Sequence, residues 1–141
     1  MSTRDEALVE AARAVLENAH APYSGLRVGA ALLTADGRIF NGCNVENASF
    51  GLTLCAERTA VCKAVSEGER DLAAIAIVSS AKQVLMPCGA CRQVLMEFAP
   101  NLRVILQGEG TERTEVTLTE LLPHSFRPSD LADHDSGANE Q

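Results

Sequence analysis

Leu72-Ala73-Ala74-Ile75-Ala76-Ile77-Val78-Ser79 is a short, uncharged, near-continuous apolar run. A run of this length and composition reads as a strand buried on both faces. Such a strand needs helices on either side of its sheet, and the flanking sequence supplies candidates. Upstream, Cys55 to Ser66 reads as a helix closed by Gly68. Downstream, Pro87 precedes a second helix of roughly Gly89 to Phe98, which ends before Pro100. Leu102 to Gln107 is the next apolar strand, Val116 to Leu118 a further short one, and Thr119 to Leu122 a short helix.

Toward the N-terminus, Arg27 to Thr34 is rich in small and branched apolar residues and reads as a strand. Asp36-Gly37 supplies a tight hairpin turn, and Ile39 to Val45 returns as the partner strand. Before the hairpin, Leu8, Ala12, Val15, Leu16 and Ala19 recur at helical steps, predicting an amphipathic helix from Thr3 to His20 that Pro22 stops. The order helix, hairpin, helix, strand, helix, strand points to an α/β protein with a mixed sheet and helices on both faces. One domain is expected over residues 1–128, with 129–141 an acidic, polar, flexible tail.

The chain has 141 residues, 46% of them apolar, which suits a single core. No apolar stretch approaches the roughly 18 residues that span a bilayer. The opening Met1-Ser2-Thr3-Arg4-Asp5-Glu6 is charged where a secretory leader would be apolar, so a cytoplasmic location is expected. A net charge of −7 repels phosphate backbones and anionic membranes, and no cluster of Lys and Arg offsets it. Nucleic acid and membrane are therefore not expected partners, whereas a small neutral molecule meets no such repulsion.

Five cysteines, an odd number, argue against a disulfide framework and for metal or redox chemistry. Cys88 and Cys91 in Pro87-Cys88-Gly89-Ala90-Cys91 lie one helical turn apart, so both sulfurs can reach one ion. Cys55, opening the other helix in Cys55-Ala56-Glu57, offers a third thiolate. Zinc favours four ligands, so three from the protein leave one position for water, as a catalytic site requires. Three thiolates exceed the charge of Zn²⁺; positive helix ends and a nearby cation offset the excess, and Arg58 and Arg92 are candidates to donate to the sulfurs. Glu57 stands beside the metal position without ligating it and can pass a proton from water to a base nitrogen and a leaving amine. Cys43 and Cys62 read as small packed residues. His20, His124 and His134 show no ligand spacing.

Cys, one residue, Glu, then Pro-Cys-x-x-Cys is the signature of zinc deaminases. The chain further resembles the small, homotetrameric cytidine deaminases. The matching segments are Ala21-Pro22-Tyr23-Ser24, Val28 to Leu32, Gly42-Cys43-Asn44-Val45-Glu46-Asn47-Ala48, Cys55 to Ala60, Pro87 to Val94 and Leu121-Leu122-Pro123. The resemblance implies a three-layer α/β/α fold around a mixed five-stranded sheet, and one Zn²⁺ per chain on Cys55, Cys88 and Cys91. It implies hydrolysis of cytidine and deoxycytidine to uridine and deoxyuridine in pyrimidine salvage. Glu57 is then the catalytic residue, and Asn44, Glu46, Ala56 and Phe126 bind substrate. Asn44 and Glu46 would hold the ribose hydroxyls, while Phe126 would stack on the pyrimidine across a subunit interface of a homotetramer.

Three positions depart from the family pattern: Leu26 for a common phenylalanine, Phe50 for a tyrosine and Met86 for a serine. All three bear on the pocket lining. Other readings stay open at this point. Cys88 and Cys91 could form a redox pair, the zinc could be structural, or the substrate could be a nucleoside-like compound or a base in a polynucleotide.

Overall fold

The computed structural model describes residues 2–131. The order is α1 (Thr3–Ala14), a 3₁₀ turn (Leu16–Asn18), β1 (Val28–Thr34), β2 (Ile39–Cys43), a second 3₁₀ turn (Phe50–Leu52), α2 (Ala56–Ser66), β3 (Leu72–Ser79), α3 (Gly89–Phe98), β4 (Arg103–Gln107), β5 (Arg113–Thr117) and α4 (Leu118–Leu121). The strands form one sheet in the order β2-β1-β3-β4-β5. Only β3 and β4 run parallel; the other pairs are antiparallel. This is the mixed five-stranded α/β sheet expected from the sequence.

Layering follows from alternation along the strands. Leu32, Ile75, Ile77, Val104 and Leu106 face a large core under α2 and α3, with Leu95 and Met96 from α3 packed into it. Ala31, Leu33, Ala74, Ala76, Val78 and Ile105 face the opposite side, where Leu8, Val9 and Ala12 of α1 cover them. The small alanines let α1 lie close to the sheet. Each fully buried Leu or Ile contributes roughly 1.5–3 kcal/mol by leaving water.

Two glycines set how near the helices come. A Cβ on Gly29 would lie 2.1 Å from the Ala12 carbonyl oxygen, so β1 and the end of α1 are in backbone contact. A Cβ on Gly42 would lie 2.6 Å from the Ala60 nitrogen, so β2 touches α2 on the other face. The second contact draws the start of α2 beside the end of β2. Gly29→Ala is expected to cost about 2–3 kcal/mol by overpacking and to lower Tm by roughly 5–10 °C. Gly110→Ala, where a Cβ meets nothing within 4 Å, serves as the control. An unchanged melting curve for Gly29→Ala would contradict the close approach.

The structure differs most from the expected elements at two boundaries, while β2 ends at Cys43 and Leu118 opens α4. The first helix stops at Ala14 rather than running to His20. Tertiary pairing takes the chain away: the His20 amide donates to the Asn44 carbonyl at 3.0 Å, and the Glu46 amide to that of His20 at 2.8 Å. The last strand begins at Arg113, ahead of the apolar residues that marked it. Its polar start is held by charge, since Arg103 donates to Glu115 at 2.8 Å and also to Asp5 on α1 at 3.0 Å. Residues 128–131 form one helical turn, which takes in the first three residues of the expected tail, 129–131; 132–141 lie outside the described residues.

Candidate active site

Both predicted cysteine helices begin on a ligand candidate. Cys55 is the N-cap of α2 and Cys88 the N-cap of α3, whose sulfur accepts from the Cys91 amide at 3.4 Å. A capping position directs its side chain along the unpaired N–H groups of the first turn, where negative charge is favoured. The two helix starts converge. Cys55 Sγ lies 3.8 Å from Cys88 Sγ, and Cys88 Sγ 3.3 Å from Cys91 Sγ. All three sulfurs fall within 4.8 Å of one another, and they are the only such group among the described residues.

This donor set fits zinc. Sulfurs on a tetrahedral ion with bonds of about 2.3 Å stand about 3.8 Å apart, close to the spacings in the cluster. No fourth His, Cys, Asp or Glu joins the group among the described residues, so one position stays open for a small ligand. The protonation pattern also calls for a cation. A hydrogen bond from the Cys91 thiol, with help from Arg58, brings Cys55 down to about 5, whereas its bond to Cys55, burial and the Glu57 charge push Cys91 up. Three crowded sulfurs cannot all ionise unaided, and a divalent cation among them removes that conflict. Participation of Cys55 sets the cluster apart from a two-cysteine redox pair.

Arg58 donates to Cys55 Sγ at 3.4 Å and to the Thr53 carbonyl at 3.2 Å, as a residue supporting a thiolate should. Its Nε is buried and has no hydrogen-bond partner among the described residues. Arg92 is placed differently from the sequence expectation. Its guanidinium donates to the Pro87 carbonyl at 2.8 Å and the Leu121 carbonyl at 2.7 Å, so it ties down the loop that carries Cys88 instead of meeting a sulfur.

Glu57 is 4% exposed and lies two residues after Cys55, in the first turn of α2. Burial raises its carboxyl above the usual carboxylate range, opposed by a hydrogen bond with the Cys91 thiol. A carboxyl so placed is readily protonated and returned, which suits proton transfer.

The cluster opens into a cavity of about 250 Å³, whose lining includes Asn44, Glu46, Cys55, Ala56, Glu57 and Cys88. Four of the expected substrate and catalytic positions (Asn44, Glu46, Ala56 and Glu57) thus share one cavity with two of the three sulfur-bearing residues. Asn44 is buried, with Oδ1 accepting from the Val28 amide at 2.9 Å and Nδ2 donating to the Leu26 carbonyl at 2.8 Å. Its amide therefore splices β2 to β1, and each end keeps capacity for one further bond. Glu46 accepts from the backbone amides of Tyr23 and Ser24 at 3.0 and 3.2 Å and from the Ser24 hydroxyl. That hydroxyl above all holds its carboxyl below the usual range. The departures Leu26 and Met86 line the cavity, while Phe50 is exposed and sits edge-on to Tyr23 at 5.5 Å between ring centres.

Phe126 is not brought to the cavity within this chain. Its ring is 59% exposed, and its carbonyl accepts from Gln93 at 2.8 Å. Sequence reasoning also missed lining residues. Ile77, Ser79 and Gln107 close the inner wall at the carboxyl ends of the parallel strands β3 and β4. The signal was available, because ligands in open α/β sheets bind where parallel strands end.

A family model for the cytidine and deoxycytidylate deaminase zinc-binding region matches residues 2–107. A cytidine deaminase of Halalkalibacterium halodurans is 50% identical over 127 residues, covering 89% of this chain and 96% of that protein. One from Mycobacterium tuberculosis is 49% identical over 113 residues, covering 80% of this chain and 82% of that protein. Among solved structures, the cytidine deaminase of Burkholderia pseudomallei superposes with a TM-score of 0.84 at 49% identity, covering 89% of this chain and all of that one. The matched region contains the three-sulfur cluster and Glu57. On site, sequence and fold alike, the chain belongs to the cytidine and deoxycytidylate deaminase zinc-binding family.

Proposed function

We propose that the protein hydrolyses the 4-amino group of cytidine and deoxycytidine, taking up water and releasing ammonia to leave uridine and deoxyuridine. One observation carries this reading. Three sulfurs with an open fourth position stand beside a buried carboxyl at one end of a cavity whose other end holds Asn44 and Glu46. The relatives named cytidine deaminase support it.

Zinc bound by Cys55, Cys88 and Cys91 supplies a Lewis-acid position at which water is made a nucleophile near neutral pH. The chain's own residues do the rest. Glu57 takes the proton that water loses and delivers it to N3 as attack at C4 proceeds. It then takes the second proton and gives it to the departing amine, which leaves as ammonia. A carboxyl raised by burial can serve in both directions without being trapped in either form. Arg58 offsets thiolate charge at Cys55, and Arg92 steadies the loop before Cys88. Glu46, kept ionised by Ser24, accepts from a ribose hydroxyl, and Asn44 uses its remaining donor or acceptor on the same sugar. The Ala56 backbone stands beside the base.

The reading extends to a homotetramer in the cytoplasm, serving pyrimidine salvage. Exposed Tyr23, Phe50, Leu52 and Phe126 offer apolar surface for such an assembly, in which the Phe126 ring would close a neighbour's cavity by stacking on the base.

The test is loss of ultraviolet absorbance when purified protein meets cytidine, run beside a zinc assay. Conversion to uridine with about one zinc per chain is expected for a single three-thiolate site. Zinc without conversion would overturn the substrate assignment, and neither zinc nor conversion would overturn the mechanism.

A further inference from the structure

The cavity has a third wall that the mechanism leaves unused. Cys55, Ala56 and Glu57 form one side at the start of α2, and Ser24, Leu26, Asn44 and Glu46 form the sugar side. A further wall includes Ile77, Ser79 and Gln107 at the strand ends, with Leu85, Met86 and Pro87 from the loop that follows β3. It runs from Cys88 at one end to the sugar side at the other, because Ser79 pairs directly with Val28, whose amide is held by Asn44. Glu57 is not part of it.

The positions on a bound pyrimidine follow from this arrangement, resting on the deaminase reading above. C4 faces the sulfurs, N3 faces Glu57, and N1 carries the sugar toward Asn44 and Glu46. The edge joining C4 to N1 without passing N3 is C5–C6, so that edge meets the third wall.

Most of this wall is apolar or already engaged. Gln107 has its amide oxygen on Arg113 Nε at 2.5 Å and its nitrogen on the Gly110 carbonyl at 2.8 Å. Ser79 differs. It is 3% exposed and shares a sheet face with Ile77; its oxygen accepts from the Ala81 amide at 3.3 Å, and its hydroxyl proton has no acceptor among the described residues. A buried donor left unpaired is unfavourable, and the cavity is where a partner can reach it.

We infer that Ser79 is a specificity-determining residue that donates a hydrogen bond to a small oxygen-bearing substituent on C5 of the pyrimidine. The favoured substrates are then nucleosides such as 5-hydroxymethylcytidine over 5-methylcytidine, which matches the former in shape near the ring but offers no acceptor. Leu85 and Met86 line the same wall and bound the space for the substituent.

The experiment compares kcat/KM for cytidine, 5-methylcytidine and 5-hydroxymethylcytidine in the zinc-loaded protein, Ser79→Ala and Ser79→Thr. The hydroxymethyl-to-methyl ratio should exceed one in the unaltered protein, fall about tenfold in Ser79→Ala, and recover in Ser79→Thr, the size expected for one hydrogen bond. A ratio unmoved by Ser79→Ala would overturn the inference, as would conversion of cytidine with rejection of both substituted nucleosides. Failure to convert cytidine at all would instead overturn the deaminase reading on which the inference rests. A loosened fold would slow all three substrates together, and the ratio is insensitive to that.

Discussion

Replacing Glu57 by glutamine is expected to lower kcat on cytidine by about a thousandfold, within the range that positioned proton transfer supplies. The amide keeps the size and place of the side chain, so the helix start and the three sulfurs should hold zinc as before. What it loses is the capacity to take a proton from water and release it to N3 and then to the amine. The check is a zinc assay and a melting curve on the same preparation used for kinetics. Near-normal kcat at full zinc occupancy would remove Glu57 from the mechanism. Loss of zinc along with activity would mean that the carboxyl supports the metal instead of the proton. Burial, which raises this carboxyl, makes the substitution tolerable for folding, because an uncharged amide costs less to enclose than a carboxylate.

Cys88→Ala should be more damaging to the metal and nearly as harmless to the fold. The residue is exposed and caps α3, while the apolar face of that helix is anchored by Leu95 and Met96. Removing one of three thiolates leaves two protein ligands, too few for the tetrahedral site. Zinc per chain should fall well below one. Turnover should drop by more than a hundredfold, since even residues that only support a metal ligand reach losses of that order. Cys62→Ala, an exposed cysteine far from these roles, should keep both zinc and rate. Full zinc occupancy in Cys88→Ala would contradict the ligand set.

These predictions draw on residues that were visible before any coordinates. The spacing of Cys88 and Cys91 and the placing of Cys55 two residues before Glu57 depend on local helix geometry, which a sequence displays directly. Arg58 is legible for the same reason, one turn from Cys55 on one helix. Arg92 was not, because its carbonyl partners include Leu121, 29 residues away, and nothing in the order of residues marks that contact. The proposed substrate role of Asn44 comes only through resemblance, whereas its structural task of joining β2 to β1 emerged from the fold. Phe126 shows the converse. The family resemblance points to it as a stacking ring, whereas this chain leaves it on the surface.

The sequence by itself determined the central strand Leu72–Ser79, the Asp36-Gly37 hairpin, the two cysteine-capped helices and the donor set for zinc. Each rests on a periodicity, a turn dipeptide or a spacing within one or two helical turns. Only the tertiary structure decided where α1 stops, since the competing bond partner of His20 is Asn44, just past the end of β2. It likewise decided that β5 begins at polar Arg113, whose partner Glu6 belongs to α1 at the far end of the chain. The inner wall of Ser79 and Gln107 is of the same kind, created by pairing two parallel strands whose ends no local pattern could bring together.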